Sequence, residues 1–271
     1  PHQARTAGQV VSTFPERYLL CDEVGLGKTI EAGLVLRQLL LAGNCRRCLI
    51  LAPRSVCRQW QEELYEKFAL SVPFFDGHHF HDLANRQWAP GTPNPWDSEP
   101  VLIASSQLAK RAERVPEILG AHPWDLVLVD EAHHARRKDF MSGQYRPNRL
   151  LTLLLGPGDR PGLRELTQGL VLMTATPMQV HPVEVWDLLH VLGLGGRWGA
   201  DDRGFLRFYN ELRRPFAEVD WDFVLDMLQD FLGPHGELDP AFAQKAQAEL
   251  GLVDWQGLKA LISAHDRKAK L

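Results

Sequence analysis

The sequence predicts a doubly wound α/β fold followed by a helical extension, and three observations carry the prediction. Short apolar runs alternate with helical patterns over most of the chain, the runs are apolar throughout rather than alternating in polarity, and beyond residue 200 the apolar residues recur at helical spacing. Continuously apolar strands are what a parallel sheet covered by helices on both faces requires.

In chain order, Tyr18 to Cys21, Cys48 to Ala52, Val101 to Ala104, Leu126 to Val129 and Leu170 to Met173 read as strands. Residues 29–41, 56–68 and 148–155 read as the helices between them. Residues 76–99, DGHHFHDLANRQWAPGTPNPWDSE, are rich in Pro, Gly and His and are expected to form a surface excursion. His78, His79 and His81 with Asp76 and Asp82 have the chemistry of metal ligands, although histidines in such a loop are more commonly just solvated. GPGDRPG at 156–162 reads as a turn. Phe205, Phe208 and Leu212, then Phe223, Val224, Met227, Leu228, Phe231 and Leu232, repeat at helical spacing, so two domains are expected, 1–199 and 200–271.

With 271 residues and 45 % hydrophobic content the chain can bury a sizeable core. A net charge of -4 and a pI near 6.3 exclude a globally basic nucleic-acid binder, so contact with phosphate must come from a local patch. Three of the four cysteines (Cys21, Cys45, Cys48 and Cys57) lie in or beside apolar runs, which suits a reducing compartment better than a disulfide framework. Cys45 and Cys48 form a C-x-x-C pair, half of a zinc site or a redox motif, with no second pair at ligand spacing. No apolar stretch approaches the ~18 residues that span a bilayer and no signal peptide opens the chain, so a cytoplasmic protein without a membrane partner is expected. Arginine outnumbers lysine among the 30 basic residues, as in GC-rich bacterial genomes.

Three motifs carry chemistry. Asp22-Glu-Val-Gly25-Leu26-Gly27-Lys28-Thr29 follows a strand and opens a helix. A phosphate chain needs inward-turned N–H groups, glycines for close approach, a lysine for charge and a hydroxyl for Mg²⁺, and Gly25, Gly27, Lys28 and Thr29 supply them. Asp22 stands where the strict phosphate-loop pattern has its first glycine. Asp130-Glu131-Ala132-His133 places an acidic pair at a strand's C-terminal edge, where Asp130 is expected to hold Mg²⁺ and Glu131 to activate water. Thr174-Ala175-Thr176-Pro177 sets two hydroxyls on a turn after another strand, a place where loss of a phosphate can be converted into movement.

These strings resemble the Swi/Snf branch of superfamily-two helicases, with Asp130–His133 and Thr174–Pro177 as its motifs II and III. DEVGLGKTIEAGL at 22–34, LILAPRSVCRQWQEEL at 49–64, DEAHHARR at 130–137 and LMTATPMQVHPVEVWDLLHVLGL at 172–194 match in order and spacing, most closely the bacterial RapA-like group. The resemblance covers about residues 1–195. It implies a RecA-like P-loop lobe that binds ATP and Mg²⁺, with Gln3 reading adenine, Gly25, Leu26, Gly27, Lys28, Thr29 and Ile30 at the nucleotide, and Thr29 and Asp130 at the metal. It makes Lys28, Asp130 and Glu131 catalytic, and His133, Thr174 and Thr176 the coupling residues. It also implies contact with the backbone of double-stranded DNA through Pro53, Arg54, Ser55, Gln59 and Trp60, and more weakly through Ser105 and Ser106.

The clusters Arg136, Arg137, Lys138 and Lys110, Arg111, Arg114 are expected either to face that DNA or to be ordinary solvated charge. The helical extension resembles the protrusion of such motors. Pro1 in place of Met, and the lack of second-lobe motifs with their arginine finger after Thr176, read as a fragment that binds ATP but turns it over slowly. The expected activity is ATP-driven translocation on duplex DNA, with RNA polymerase or phage-defence subunits of the DISARM type as candidate partners. The alternatives are the lobe of a DEAH-type RNA helicase and a non-catalytic nucleotide-sensing assembly module, against which an intact Lys28, Asp130 and Glu131 argue.

Overall fold

The computed structural model describes residues 2–21, 27–138, 146–179 and 181–228, together with 244, 256, 257, 259, 260 and 262. The chain divides into two compact units, Pro1–Gly193 and Leu194–Leu271.

The first unit opens with α1 (His2–Ser12), β1 (Tyr18–Leu20), α2 (Lys28–Leu41), β2 (Cys48–Ala52) and α3 (Cys57–Phe68). Three short strands follow, β3 (Phe74–Phe75), β4 (Phe80–His81) and β5 (Gln87–Trp88), and then β6 (Val101–Ser105), α4 (Ser106–Ala109), α5 (Val115–Leu119) and β7 (Trp124–Val129). After the small pair β8 (Arg137–Lys138) and β9 (Arg146–Pro147) come α6 (Arg149–Leu155), β10 (Thr167–Met173) and α7 (Val183–Val191). The main sheet has eight strands in the order β1-β10-β7-β2-β6-β3-β4-β5. The first six run parallel and the last two are added antiparallel.

Alternate residues of each strand feed two cores. Leu49, Leu51, Val127, Val129, Leu170 and Leu172 face a cluster completed by α4, α5, α6 and α7. Cys48, Ile50, Leu126, Leu128, Val171 and Met173 face another completed by α1, α2 and α3. The fold is therefore the doubly wound, mostly parallel α/β arrangement that the apolar runs predicted. On the second face α2 and α3 approach closely at Gly33, where any Cβ would collide with the Phe68 ring.

The structure departs from the expected surface excursion at 76–99. Phe80 and Trp96 are fully buried, with Phe80 stacked on Phe75 at 4.8 Å between ring centroids and Trp96 edge-on to Phe75 at 5.4 Å. Proline and glycine correctly mark turns, but the aromatic residues between them extend the sheet and its core. His81 Nε2 lies 2.6 Å from Asp76 Oδ2, so this histidine serves the hairpin's own ion pair. Cys45 and Cys48 are buried and unlinked.

In the second unit the described residues form α8 (Gly196–Ala200), α9 (Asp202–Glu211) and α10 (Trp221–Met227). Asp201 caps α9 by accepting from Gly204 N at 2.8 Å, and Asp220 caps α10 by accepting from Phe223 N at 3.2 Å. Phe231 and Leu232 lie outside the described residues.

Candidate functional site

Strand order brings the motifs together. β1, β10, β7 and β2 are consecutive parallel neighbours, so the segments leaving their C-terminal ends, which carry Lys28, Thr174, Asp130 and Arg54, share one edge of the sheet. Two backbone bonds stitch that edge: Thr174 N donates to Leu20 O at 3.0 Å and Asp130 N donates to Leu51 O at 2.7 Å.

Gly25 and Leu26, with Asp22 to Val24, lie outside the described residues. Gly27 precedes the 14-residue helix α2 with φ 91°, a left-handed conformation that glycine adopts without strain, and a Cβ here would overlap the Gln3 side-chain amide. Lys28 and Thr29 stand in the first helical turn, where backbone N–H groups attract anions. Ile30 donates its N–H to Gly27 O at 2.8 Å and its side chain packs against the core on that face.

At the end of β7, Asp130 Oδ2 accepts from Trp60 Nε1 and Oδ1 accepts from Glu131 N, each at 2.9 Å. Burial pushes the Asp130 carboxyl above its ordinary range, and the Glu131 charge adds to this, while the two hydrogen bonds and the nearby Lys28 charge oppose it. A cation beside it would relieve that desolvation. The residues present therefore fit a phosphate chain accompanied by a divalent cation: a helix N-terminus, an ammonium, a hydroxyl and a partly desolvated carboxylate.

Glu131 adopts a left-handed φ of 48° and sets its Oε2 3.1 Å from His133 Nδ1. The same ring nitrogen lies 2.9 Å from Thr174 Oγ1, which in turn accepts from Thr176 N at 3.1 Å. Burial lowers the His133 pKa, with the His134 and Arg136 charges acting in the same direction and the Glu184 and Asp130 charges opposing them. His133, Thr174 and Thr176 thus form one hydrogen-bonded chain from the acidic pair. It continues through Gln179, whose Nε2 donates to Thr176 Oγ1 at 3.3 Å and whose backbone N donates to Glu184 Oε2 at 2.7 Å.

Several residues expected at DNA make contacts within the fold. Arg136 Nη1 donates to Glu184 Oε1 at 2.8 Å and to Gln179 Oε1 at 3.1 Å. Arg137 Nε pairs with Asp187 Oδ1 at 2.8 Å, its N donates to Asp187 Oδ2, and its guanidinium covers the Trp186 ring at 4.7 Å. Two buried carboxylates on α7 need cationic partners, so both arginines serve the fold. Ser105 is 2 % exposed and accepts from Leu108 N at 3.1 Å as the cap of α4, and Ser106 is buried beside it. Arg114 is held by Glu117 and Gly77 O. Trp60, 2 % exposed, faces inward. Arg54, Ser55 and Gln59 are exposed at the sheet edge, with Arg54 N donating to Gln107 Oε1 at 3.0 Å. The sequence reading missed Gln179 and Glu184, which lie inside a quoted motif but have no pattern of their own, and it did not anticipate that Trp60 turns toward Asp130.

Residues 14–145 match the family model described as the SNF2-related domain. The Sulfolobus solfataricus SWI2/SNF2 ATPase core domain is similar in structure, with 17 % identity, a TM-score of 0.50, and coverage of 97 % of this chain and 41 % of that one. The Sulfolobus solfataricus SWI2/SNF2 ATPase core in complex with dsDNA aligns with 16 % identity, a TM-score of 0.48, and coverage of 98 % and 43 %. The chain thus spans about two fifths of the length of these structures, at 41 % and 43 %. Residues 14–145, which hold the start of α2, the acidic pair and the segment between them, carry the SNF2-related sequence pattern on a RecA-like fold shared with the SWI2/SNF2 ATPase core.

Proposed function

We propose that this chain is the nucleotide-binding lobe of an ATP-dependent motor that moves along double-stranded DNA. The observation that carries the reading is Asp130. It is a carboxylate drawn out of water at a strand end beside Lys28, and its neighbour Glu131 continues through His133 to Thr174 on the adjacent strand. The SNF2-related match over 14–145 supports the same reading.

In this account Lys28 and the N-terminus of α2 bind the phosphates, and Gln3, lying over Gly27, contacts the base. Thr29 and Asp130 would hold Mg²⁺, whose chemistry there is to neutralise charge on the phosphate oxygens. Glu131 orients and polarises the attacking water. His133, Thr174 and Thr176 transmit the resulting change in hydrogen bonding to the segment leading into α7. Arg54, Ser55 and Gln59 contact one DNA strand through its phosphates, so binding is indifferent to base sequence. A bacterial RapA-like or DISARM-type machine, with polymerase or defence subunits as partners, is the finer form of the proposal.

The test is the ATPase activity of the full-length protein titrated with duplex DNA, single-stranded DNA and RNA at fixed salt. Duplex DNA should stimulate most, whatever its sequence, and Arg54→Ala should weaken all duplexes alike and reduce the salt slope by about 0.9. Stimulation by RNA alone would favour an RNA helicase. No stimulation by any nucleic acid would favour an assembly module.

A further inference from the structure

We propose that Trp60 is a positioning residue for the divalent cation of this nucleotide site, its indole N–H fixing the carboxylate of Asp130. The inference rests on the nucleotide reading above. Each Asp130 oxygen has one fixed donor, Trp60 Nε1 on Oδ2 and Glu131 N on Oδ1, both at 2.9 Å. Two rigid donors set the plane of the carboxylate and leave a lone pair on each oxygen for a metal. Trp60 is suited to this because it cannot move: it sits on the inward face of α3 with Cys57, Leu64 and Phe68, inside the core behind the sheet. Burial alone does not require the pairing. The indole N–H of Trp124, equally buried, has no hydrogen-bond partner among the described residues. Hydrogen bonds to metal-ligating carboxylates commonly contribute 10- to 100-fold in metal affinity, which is the scale expected here.

The experiment measures the affinity of a fluorescent non-hydrolysable ATP analogue as Mg²⁺ is titrated, and again in EDTA. In the wild type Mg²⁺ should tighten binding, and Asp130→Ala should remove that gain. Trp60→Phe keeps a ring in the core and removes the donor. Benzothienylalanine placed at 60 keeps the full shape without the N–H, and asks the same question should the phenylalanine variant fold poorly. Both should raise the Mg²⁺ concentration at half effect by about 10- to 100-fold while leaving affinity in EDTA unchanged. Leu64→Ala, one turn further along the same buried face, should lower thermal stability and leave the Mg²⁺ dependence as in the wild type. A wild-type Mg²⁺ midpoint in both Trp60 variants would overturn the inference. So would parallel loss of affinity with and without Mg²⁺, which is the signature of packing alone. A wild type that binds no better with Mg²⁺, or a Lys28→Ala variant that binds as tightly, would instead mean that the nucleotide reading has failed and the inference with it.

Discussion

Glu184 and Asp187 are buried carboxylates answered by Arg136 and Arg137, whereas the Asp130 carboxylate, at the end of β7, accepts from the Trp60 indole N–H and the Glu131 backbone N–H. The first two charges are neutralised within the fold, and in the proposed site the third would take a cation from outside. Lys28 supplies the complementary charge. If the site binds a triphosphate, Lys28→Ala should cost on the order of 2 to 5 kcal/mol of affinity, because a charge-assisted contact to phosphate is lost from a partly desolvated place. The side chain is half-exposed at a helix start, so the melting temperature should be almost unchanged. Calorimetry decides: equal ATP affinity for the variant and the wild type removes the phosphate-site assignment. At this scale the sequence was most legible where the role proposed for a residue is contained in its own motif, as for Lys28, Thr29, Asp130 and Glu131. It left Arg136 and Arg137 open, because a basic run looks the same whether its partners are phosphates or carboxylates on a distant helix.

The strands β2, β6, β7 and β10 were legible because each is a continuous apolar run, and α2, α3 and α6 because their buried residues recur at helical spacing. The elements β4 and β5 were not, since two-residue strands leave no periodicity to read. The turn that joins β3 to β4 is held by Asp76. Burial alone would raise its carboxyl, but bonds from His79 N at 2.8 Å, His78 N at 2.7 Å and the His81 ring outweigh this and bring it down to about 2. A depressed folded-state value means that ionised Asp76 contributes stability above the unfolded carboxyl's value of about 3.9, and that the contribution is lost as pH falls toward about 2. Asp76→Asn should therefore be less stable than the wild type at pH 6, and the gap should close progressively below pH ~4. Urea midpoints of both proteins between pH 6 and pH 3 measure it, and a gap independent of pH would show that the carboxylate charge is not what holds the hairpin.

At the scale of the molecule, every residue assigned to the nucleotide lies within Pro1–Gly193, the first of the two compact units. Residues 1–193 expressed alone should consequently bind ATP with a Kd within about threefold of the whole chain's, a difference well under 1.4 kcal/mol. A loss of tenfold or more in isothermal titration would show that 194–271 contributes to the site. The sequence by itself determined the fold class, the order of the motifs and the residue types proposed for each phosphate, metal and acid position, because these depend on local periodicity and on chemistry held within a few neighbouring residues. The tertiary structure alone decided that Asp130 leans on Trp60, that His133 reaches Thr174, and that two arginines turn inward to α7. Those contacts join strands and helices far apart in the chain. Whether a polar group meets solvent or a buried partner depends on strand order and on which face of a helix packs inward, and neither is written in the residues on one side of the contact.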